Sequence, residues 1–178
     1  FTNVLAIESC MDQLAIMTAA DPIDFRIKNL QDRRAIYVLE TLREVSNWRR
    51  HTEGQGRGIG FARYKNSAAY CAVAFFVRVN KVTGEITLDK AVSVTDAGRI
   101  INPDGVKNQI EGGIIQAASW CLKERVRFSK TQVKSRHWGE YPVLGFNKVP
   151  ELDTHIVNRV DQPSYGVGEV SPGPAGAA

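Results

Sequence analysis

The segment that most constrains the fold runs from Val94 to Leu122, where a strand end leads through a turn into a long helix. Asn102 is a favourable helix N-cap, and Pro103 suits the first helical position because the N–H that it lacks has no partner there. Apolar residues then recur at helical spacing, which predicts a helix over residues 103–123 with one buried stripe. The stripe consists of Val106, Ile110, Ile114, Ala117, Ala118 and Cys121.

A second stripe on the same predicted helix is polar and contains two adjacent glycines. It consists of Gln109, Gly112, Gly113 and Gln116. Each glycine costs about 1 kcal/mol relative to alanine in a helix interior, so we expect something to lie close against the backbone there. Either a neighbouring element packs tightly at this point, or the two glutamine amides and the bare backbone form the wall of a site for a large polar ligand.

The remaining regular structure follows from periodicity, capping residues and turn residues. Helices are predicted over residues 4–18, 22–30 and 34–47, and a hairpin of strands over residues 69–79 and 85–96. The first helix is expected to bury an apolar face made of Val4, Ile7, Met11, Leu14 and Ala15. Three helices, a hairpin and a crossing helix together predict an α+β fold with a mixed or antiparallel sheet.

Two connecting regions are less regular. Residues 51–60 form a glycine-rich connector into a strand, and they lack the lysine, the hydroxyl and the G-x-G-x-x-G spacing of nucleotide-binding loops. Beyond the long helix, short strands are predicted at residues 126–128 and 152–157, with a polar segment between them.

Composition and charge exclude several classes of function. Charged residues make up 24% and hydrophobic residues 43% of the chain, as in ordinary globular proteins, and no apolar run is long enough to cross a membrane. The net charge is +4, but the basic residues are scattered. Arg33-Arg34 and Arg49-Arg50-His51 are the only clusters, and neither is interleaved with aromatic residues, which argues against a nucleic-acid partner.

The cysteines and histidines indicate no metal site. The three cysteines are far apart and have no C-x-x-C spacing, which argues against a disulfide framework, a zinc site or an iron–sulfur cluster bound by this chain alone. These residues are Cys10, Cys71 and Cys121, and the histidines His51, His137 and His155 show no ligand spacing either. No metal-ligating residue is therefore assigned.

Several motifs in one order resemble a known family. The pattern D-A-G-R-I-I-N-P-x(5)-Q-I-E-G-G-x-x-Q, from Asp96 to Gln116, is similar to a signature of the molybdenum hydroxylases, the xanthine oxidase and aldehyde oxidase family. Residues 165–169, Y-G-V-G-E, resemble the loop that carries the catalytic glutamate of that family. Residues 6–15 and 21–26 resemble an earlier helical segment of its molybdopterin-binding subunit, and the closest likeness is to isoquinoline 1-oxidoreductase-like large subunits.

The resemblance implies roles for individual residues. From spacing alone, Glu169 is explained as an acidic residue at a helix start; the resemblance implies instead that it is the catalytic base, which takes a proton from a metal-bound hydroxide. Gln109 matches a glutamine that contacts the cofactor, and Gly112, Gly113 and Gln116 share its helical face as further cofactor-binding candidates. The chain departs from the family at Gln116-Ala117, where Q-G is common.

The resemblance also implies a larger assembly. Residues 1–178 correspond to the C-terminal part of a molybdopterin-binding domain, with a helical segment over 1–50 and an α+β segment over 57–178. The start at Phe1 agrees with a longer polypeptide, whose N-terminal part would complete the site. We expect a molybdenum–molybdopterin cofactor in its cytosine dinucleotide form, an iron–sulfur partner subunit, and a small-molecule substrate that is an N-heterocycle or an aldehyde. The isolated chain is expected to bind no cofactor, and the alternative is a non-catalytic fragment with a structural role.

Overall fold

The computed structural model describes residues 1–50 and 52–178, so His51 lies outside the described residues. Within them, the chain forms three α-helices, then three strands, and finally a helix, a strand and a last helix. The helices are α1 (Thr2–Met17), α2 (Pro22–Asn29), α3 (Arg33–Val45), α4 (Pro103–Leu122) and α5 (Pro172–Ala177). The strands are β1 (Gly56–Arg63), β2 (Tyr70–Val79), β3 (Ile86–Asp96) and β4 (Glu151–Val157).

The four strands form one mixed sheet in the order β1-β2-β3-β4. The pairs β1–β2 and β2–β3 are antiparallel, whereas β3 and β4 are parallel. A parallel pair needs a crossover connection, and α4 lies in the chain between β3 and β4. The predicted α+β fold, mixed sheet and crossing helix are therefore confirmed.

The sheet is covered by helices on both faces, so the chain has two hydrophobic cores. On one face α2 and α3 pack against alternate residues of β2 and β3, including Ala72, Ala74 and Val94. On the other face α4 and α5 pack against Val73 and Phe75. Residues 70–76 of β2 are all buried, which explains the nearly continuous apolar run there.

The helix starts follow the predicted capping chemistry. The Asp21 carboxylate accepts hydrogen bonds from the backbone N–H groups of Ile23 and Asp24, at 2.9 and 3.2 Å. The Asn102 side-chain oxygen accepts one from the backbone N–H of Gly105 at 3.0 Å. Such caps stabilise a helix by about 1 kcal/mol, and Asn102 lies where the sequence predicts its cap.

Three sequence-based predictions are wrong in detail. In α1, Ile7 and Leu14 are 60% and 41% exposed, because the inward face is centred on Glu8 and Ala15. At the end of α4, Cys121 is exposed and Ser119 is buried instead. The strand predicted at residues 126–128 is reduced to one bridge between Phe128 and Val133.

Two further findings concern the chain as a whole. All three cysteines are free, in agreement with the argument against a disulfide framework. Among residues 1–50 and 52–178, no helix is both long and apolar enough to cross a membrane.

Candidate functional site

The turn between β3 and α4 holds a second segment of the chain against itself. Residues 158–168, here called the approach segment, run along this turn after β4 ends. Gly98 has a φ of +75°, and a Cβ added there would lie 2.0 Å from the carbonyl oxygen of Pro163. Only glycine fits this combination of a left-handed backbone and a close backbone neighbour.

Hydrogen bonds tie the rest of the turn to the approach segment. The backbone N–H groups of Arg159 and Tyr165 donate to the carbonyl oxygens of Gly98 and Ala97, each at 3.0 Å. Two side-chain bonds are added: Arg99 Nε donates to the Val160 carbonyl at 2.9 Å, and the Ile100 N–H donates to Asn158 Oδ1 at 3.0 Å. The D-A-G-R-I motif therefore determines where the approach segment lies.

Glu169 lies at the tip of a tight turn that follows the approach segment. The Val170 N–H donates to the Val167 carbonyl at 2.9 Å, so Gly168 and Glu169 occupy the two central positions. Val167 and Val170 are buried on either side, and Gly168 has a φ of +44°. Glu169 itself is exposed, and its carboxylate has no hydrogen-bond partner within residues 1–50 and 52–178.

Gln109 connects this turn to α4. Its side-chain Nε2 donates to the carbonyl oxygen of Gly168 at 2.8 Å. At the next residue of α4, the carbonyl oxygen of Ile110 accepts a hydrogen bond from the buried Ser171 hydroxyl at 2.9 Å. The glutamine singled out in α4 and the glutamate singled out near the C-terminus, 60 residues apart in sequence, thus meet at one place.

The two adjacent glycines of α4 have different surroundings. A Cβ on Gly113 would lie 2.3 Å from Ser171 Oγ and 3.0 Å from Pro172 Cδ, so tight packing against the start of α5 explains this glycine. A Cβ on Gly112 would meet no atom within 4 Å among the described residues. Tight packing, the first of the two sequence-based explanations, holds for Gly113, whereas no described residue packs against Gly112.

Gln109, Gly112 and Gln116 share one exposed face of α4, at positions i, i+3 and i+7. Gln116 is exposed and makes no side-chain hydrogen bond within the described part of the chain. At the N-terminal end of this face lies a cleft of about 340 Å³, whose walls include Asn102, Gln109, Gly166 and Gly168. This face offers amide groups and open backbone to a large polar ligand.

A second cleft lies on the other side of the Glu169 turn. Its volume is about 260 Å³, and its walls include Tyr64, Lys65 and Trp120 as well as Glu169. Glu169 therefore faces a hollow with aromatic walls, whereas Gln109 faces the cleft at the start of α4. The turn separates the two hollows.

A buried ionic cluster below the approach segment was not predicted from sequence. Asp96 is fully buried, and its carboxylate accepts from Arg34 Nη2 and Arg159 Nε, both at 2.5 Å, and from the Gly98 N–H at 3.0 Å. Burial alone would raise the pKa of Asp96, but the hydrogen bonds from the two arginines outweigh it and hold the pKa below 3.8. The only sequence signal was an aspartate at the end of an apolar strand.

Side chains that can bind metal ions form no cluster among the described residues. No three His, Cys, Asp or Glu side chains converge as metal ligands anywhere in residues 1–50 and 52–178. His137 and His155 each lie beside a single carboxylate, of Glu140 and Asp153 respectively.

Comparison with known proteins places these features in context. A family described as molybdopterin cofactor-binding domain matches residues 8–150, which include α4 and end before the Glu169 turn. A nicotinate dehydrogenase chain of Pseudomonas putida is 38% identical over 192 residues, covering 99% of this chain and 16% of that protein. The beta chain of isoquinoline 1-oxidoreductase of Brevundimonas diminuta is 35% identical over 166 residues, covering 92% of this chain and 21% of that protein.

The same architecture occurs in a solved structure. The aldehyde oxidoreductase of Desulfovibrio desulfuricans superimposes with a TM-score of 0.79 over 98% of this chain and 37% of that chain. At 16% identity this likeness concerns the fold alone. This chain therefore corresponds in fold to part of a larger protein.

Proposed function

The chain belongs to the molybdopterin cofactor-binding domain family of the molybdenum hydroxylases, and we propose that it supplies one wall of the cofactor site and the general base of a hydroxylating oxidoreductase. The chain spans about a fifth of the length of these two relatives. We propose that residues 1–178 form the C-terminal part of the molybdopterin-binding domain, where the family's glutamate loop is expected. The helical segment is residues 1–50 and the α+β segment residues 57–178.

One observation carries the proposal. The hydrogen bond from Gln109 Nε2 to the Gly168 carbonyl joins the candidate cofactor contact directly to the turn that presents Glu169. If the two motifs served separate structural purposes, nothing would require them to meet. Their contact supports the proposal that this face of α4 and the Glu169 carboxylate serve one site.

The residues present fit the cofactor. A pterin carries many hydrogen-bonding groups, and the exposed amides of Gln109 and Gln116 offer donors and acceptors to them. Gly112 leaves the helix backbone open between these amides, so a flat ring system can approach closely. Gly113 allows the start of α5 to pack closely against α4, which holds this helix in place. We propose the cytosine dinucleotide form of the cofactor.

Glu169 accepts a proton in the proposed mechanism. Its place at the tip of a turn with two buried anchors fixes its direction, and its carboxylate is not engaged by other described side chains. When bound, the molybdenum cofactor supplies the two-electron redox chemistry, and the electrons leave to the iron–sulfur clusters of a partner subunit. Glu169 removes the proton from the water-derived oxygen nucleophile, which general bases do with a gain of about 10²–10⁴ in rate.

The substrate is proposed to be a small N-heterocycle or an aldehyde. Two relatives are named for N-heterocycles, nicotinate and isoquinoline, which supports the first of these classes. The aromatic walls that Tyr64 and Trp120 give to the cleft beside Glu169 suit a flat ring. The rest of the substrate and cofactor contacts are expected from the N-terminal part of the full-length protein.

Cofactor analysis tests the proposed wall. In the full-length enzyme, Gln109→Ala should lower the molybdenum and pterin content, because a cofactor contact and the tie to Gly168 are both lost. Asn108→Ala is the matched control, since it removes an exposed amide from the adjacent position of the same helix. Equal and undiminished cofactor content in both variants would contradict the proposed role of Gln109.

A further inference from the structure

Asp96 is the most deeply buried charge near the site, yet it faces neither cleft. It ends β3, is fully buried, and accepts hydrogen bonds from the side chains of Arg34 and Arg159. Arg34 makes two of these bonds, at 3.1 Å from Nε and 2.5 Å from Nη2. Such a bidentate arrangement fixes both partners in orientation as well as in distance.

The two arginines extend from Asp96 to the approach segment. Arg159 belongs to that segment, and its Nε lies 2.5 Å from Asp96 Oδ2. Arg34 comes from the start of α3, and its guanidinium lies between the rings of Tyr70 and Tyr165, at 4.9 and 5.3 Å from their centroids. The Asp96 carboxylate thus holds the approach segment at two points. It bonds Arg159 directly, and it contacts Tyr165 indirectly, through Arg34.

The approach segment leads directly to the Glu169 turn. Tyr165 is held by both its ring and its N–H, which donates to the Ala97 carbonyl, and only three residues separate it from Glu169. Beyond Glu169, Ser171 attaches the chain to α4. Because the chain is attached at Tyr165 and at Ser171, a shift of Tyr165 would move the residues between them, which include Glu169.

We propose that Arg34 and Arg159, both bound to Asp96, are positioning residues that set the direction of the Glu169 carboxylate. This inference rests on the proposed function of Glu169 as the general base. Arg34, Asp96 and Arg159 line neither of the two clefts, although Ala97, the residue after Asp96, lines the cleft at the start of α4. Misplacing a catalytic group by about 1 Å costs up to about 10²-fold in rate, so a remote change here has a measurable effect.

Arginine-to-lysine substitutions in the full-length, cofactor-loaded enzyme test the inference. Lysine keeps the positive charge but loses the bidentate geometry and the stacking of the planar guanidinium. Arg34→Lys and Arg159→Lys should each lower kcat per molybdenum-loaded site by about tenfold while KM stays within about twofold. Arg43→Lys is the matched control. Arg43 bonds the Asp24 carboxylate at 2.6 Å, and its side chain is 25% exposed, as against 28% for Arg159, but it links α3 to α2 rather than to the approach segment.

The outcomes separate this inference from the proposed function. A purely structural role for the arginines would reduce the yield of loaded enzyme equally in all three variants and leave kcat per loaded site unchanged. That result would overturn the inference if Glu169→Gln, measured alongside, still abolishes turnover. If Glu169→Gln turns over like the parent enzyme, the proposed function itself fails, whatever the arginine variants do.

Discussion

Alanine substitutions at Gly112 and Gly113 should have opposite effects on local stability, although the residues are adjacent in α4. At Gly112 the added methyl group meets open space within the described chain, so the variant gains the helix propensity of alanine, about 1 kcal/mol. At Gly113 the methyl group would lie 2.3 Å from Ser171 Oγ and 3.0 Å from Pro172 Cδ. Overpacking typically costs about 1–3 kcal/mol, and displacing Ser171 costs about 1 kcal/mol for its bond to Ile110. After the gain in propensity, the net loss is about 1–3 kcal/mol.

Hydrogen exchange of the cofactor-free full-length protein measures this difference locally. Amides of α4 should exchange about fivefold more slowly in Gly112→Ala, and those of α4 and α5 about 5- to 150-fold faster in Gly113→Ala. In the loaded enzyme, Gly112→Ala should nevertheless lower cofactor content, because its methyl group occupies the open wall. If Gly112→Ala is stabilised and also keeps full cofactor content, no ligand lies against this glycine and the proposed wall is wrong.

Three further outcomes follow from burial and charge. Folding lowers the pKa of Asp96 below its ordinary value of 3.8, so the ionised carboxylate stabilises the folded protein at neutral pH and this stabilisation is lost as the pH falls. The unfolding temperature of Asp96→Asn should therefore be lower than that of the parent by a constant amount from pH 7 to about 5, and the difference should narrow below 3.8. A difference that does not depend on pH would contradict this. The isolated chain should self-associate through α1, where Ile16 is 77% exposed. Light scattering should show less association for Ile16→Lys than for the control Val82→Lys, which changes a residue in a turn that is 95% exposed. Equal association of the two variants would exclude α1 as the contact surface. Burial raises the pKa of the Cys71 thiol to about 12. Iodoacetamide should therefore label the exposed Cys10 of the native protein and leave Cys71 unlabelled. Equal labelling of the two residues by mass spectrometry would refute the burial of Cys71.

Local rules predicted most of the regular structure. The predicted long helix over residues 103–123 is observed as Pro103–Leu122, and the predicted hairpin strands are observed as Tyr70–Val79 and Ile86–Asp96. These elements have strong local signals: an N-cap with proline in the first position, and alternating or continuous apolar runs around a turn. Such signals depend on residues within a few positions of one another, so the sequence alone is sufficient.

Long-range contacts explain the errors. The inward face of α1 is centred on Glu8, whose carboxylate accepts from Arg26 and from the Phe61 N–H, and apolar periodicity cannot identify a buried ion pair. The glycine-rich connector is partly a strand because it pairs with β2, and its Gly58 and Gly60 lie against the backbone of Ala178 and Pro174, more than 110 residues later in the sequence. Neither partner is visible from the local sequence.

The same distinction applies to the candidate site. The family resemblance singled out Gln109 and Glu169, and the structure brings their two segments into contact. The partners of Asp96 could not be predicted, because Arg34 and Arg159 are 62 and 63 residues away and no local pattern selects them. Likewise, only the packing of α5 distinguishes the role of Gly113 from that of Gly112.

The central claim is that Glu169 is the general base, and reduction of the loaded enzyme by substrate tests it most directly. Glu169→Gln keeps the size and hydrogen-bonding reach of the side chain but cannot take up a proton. The rate of enzyme reduction should fall by at least about 10²-fold with cofactor content unchanged. Asp161→Asn, which neutralises an exposed carboxylate in the approach segment, should reduce at the parent rate. If molybdenum-replete Glu169→Gln is reduced within a few-fold of the parent rate, Glu169 is not the base and the turn serves only to start α5.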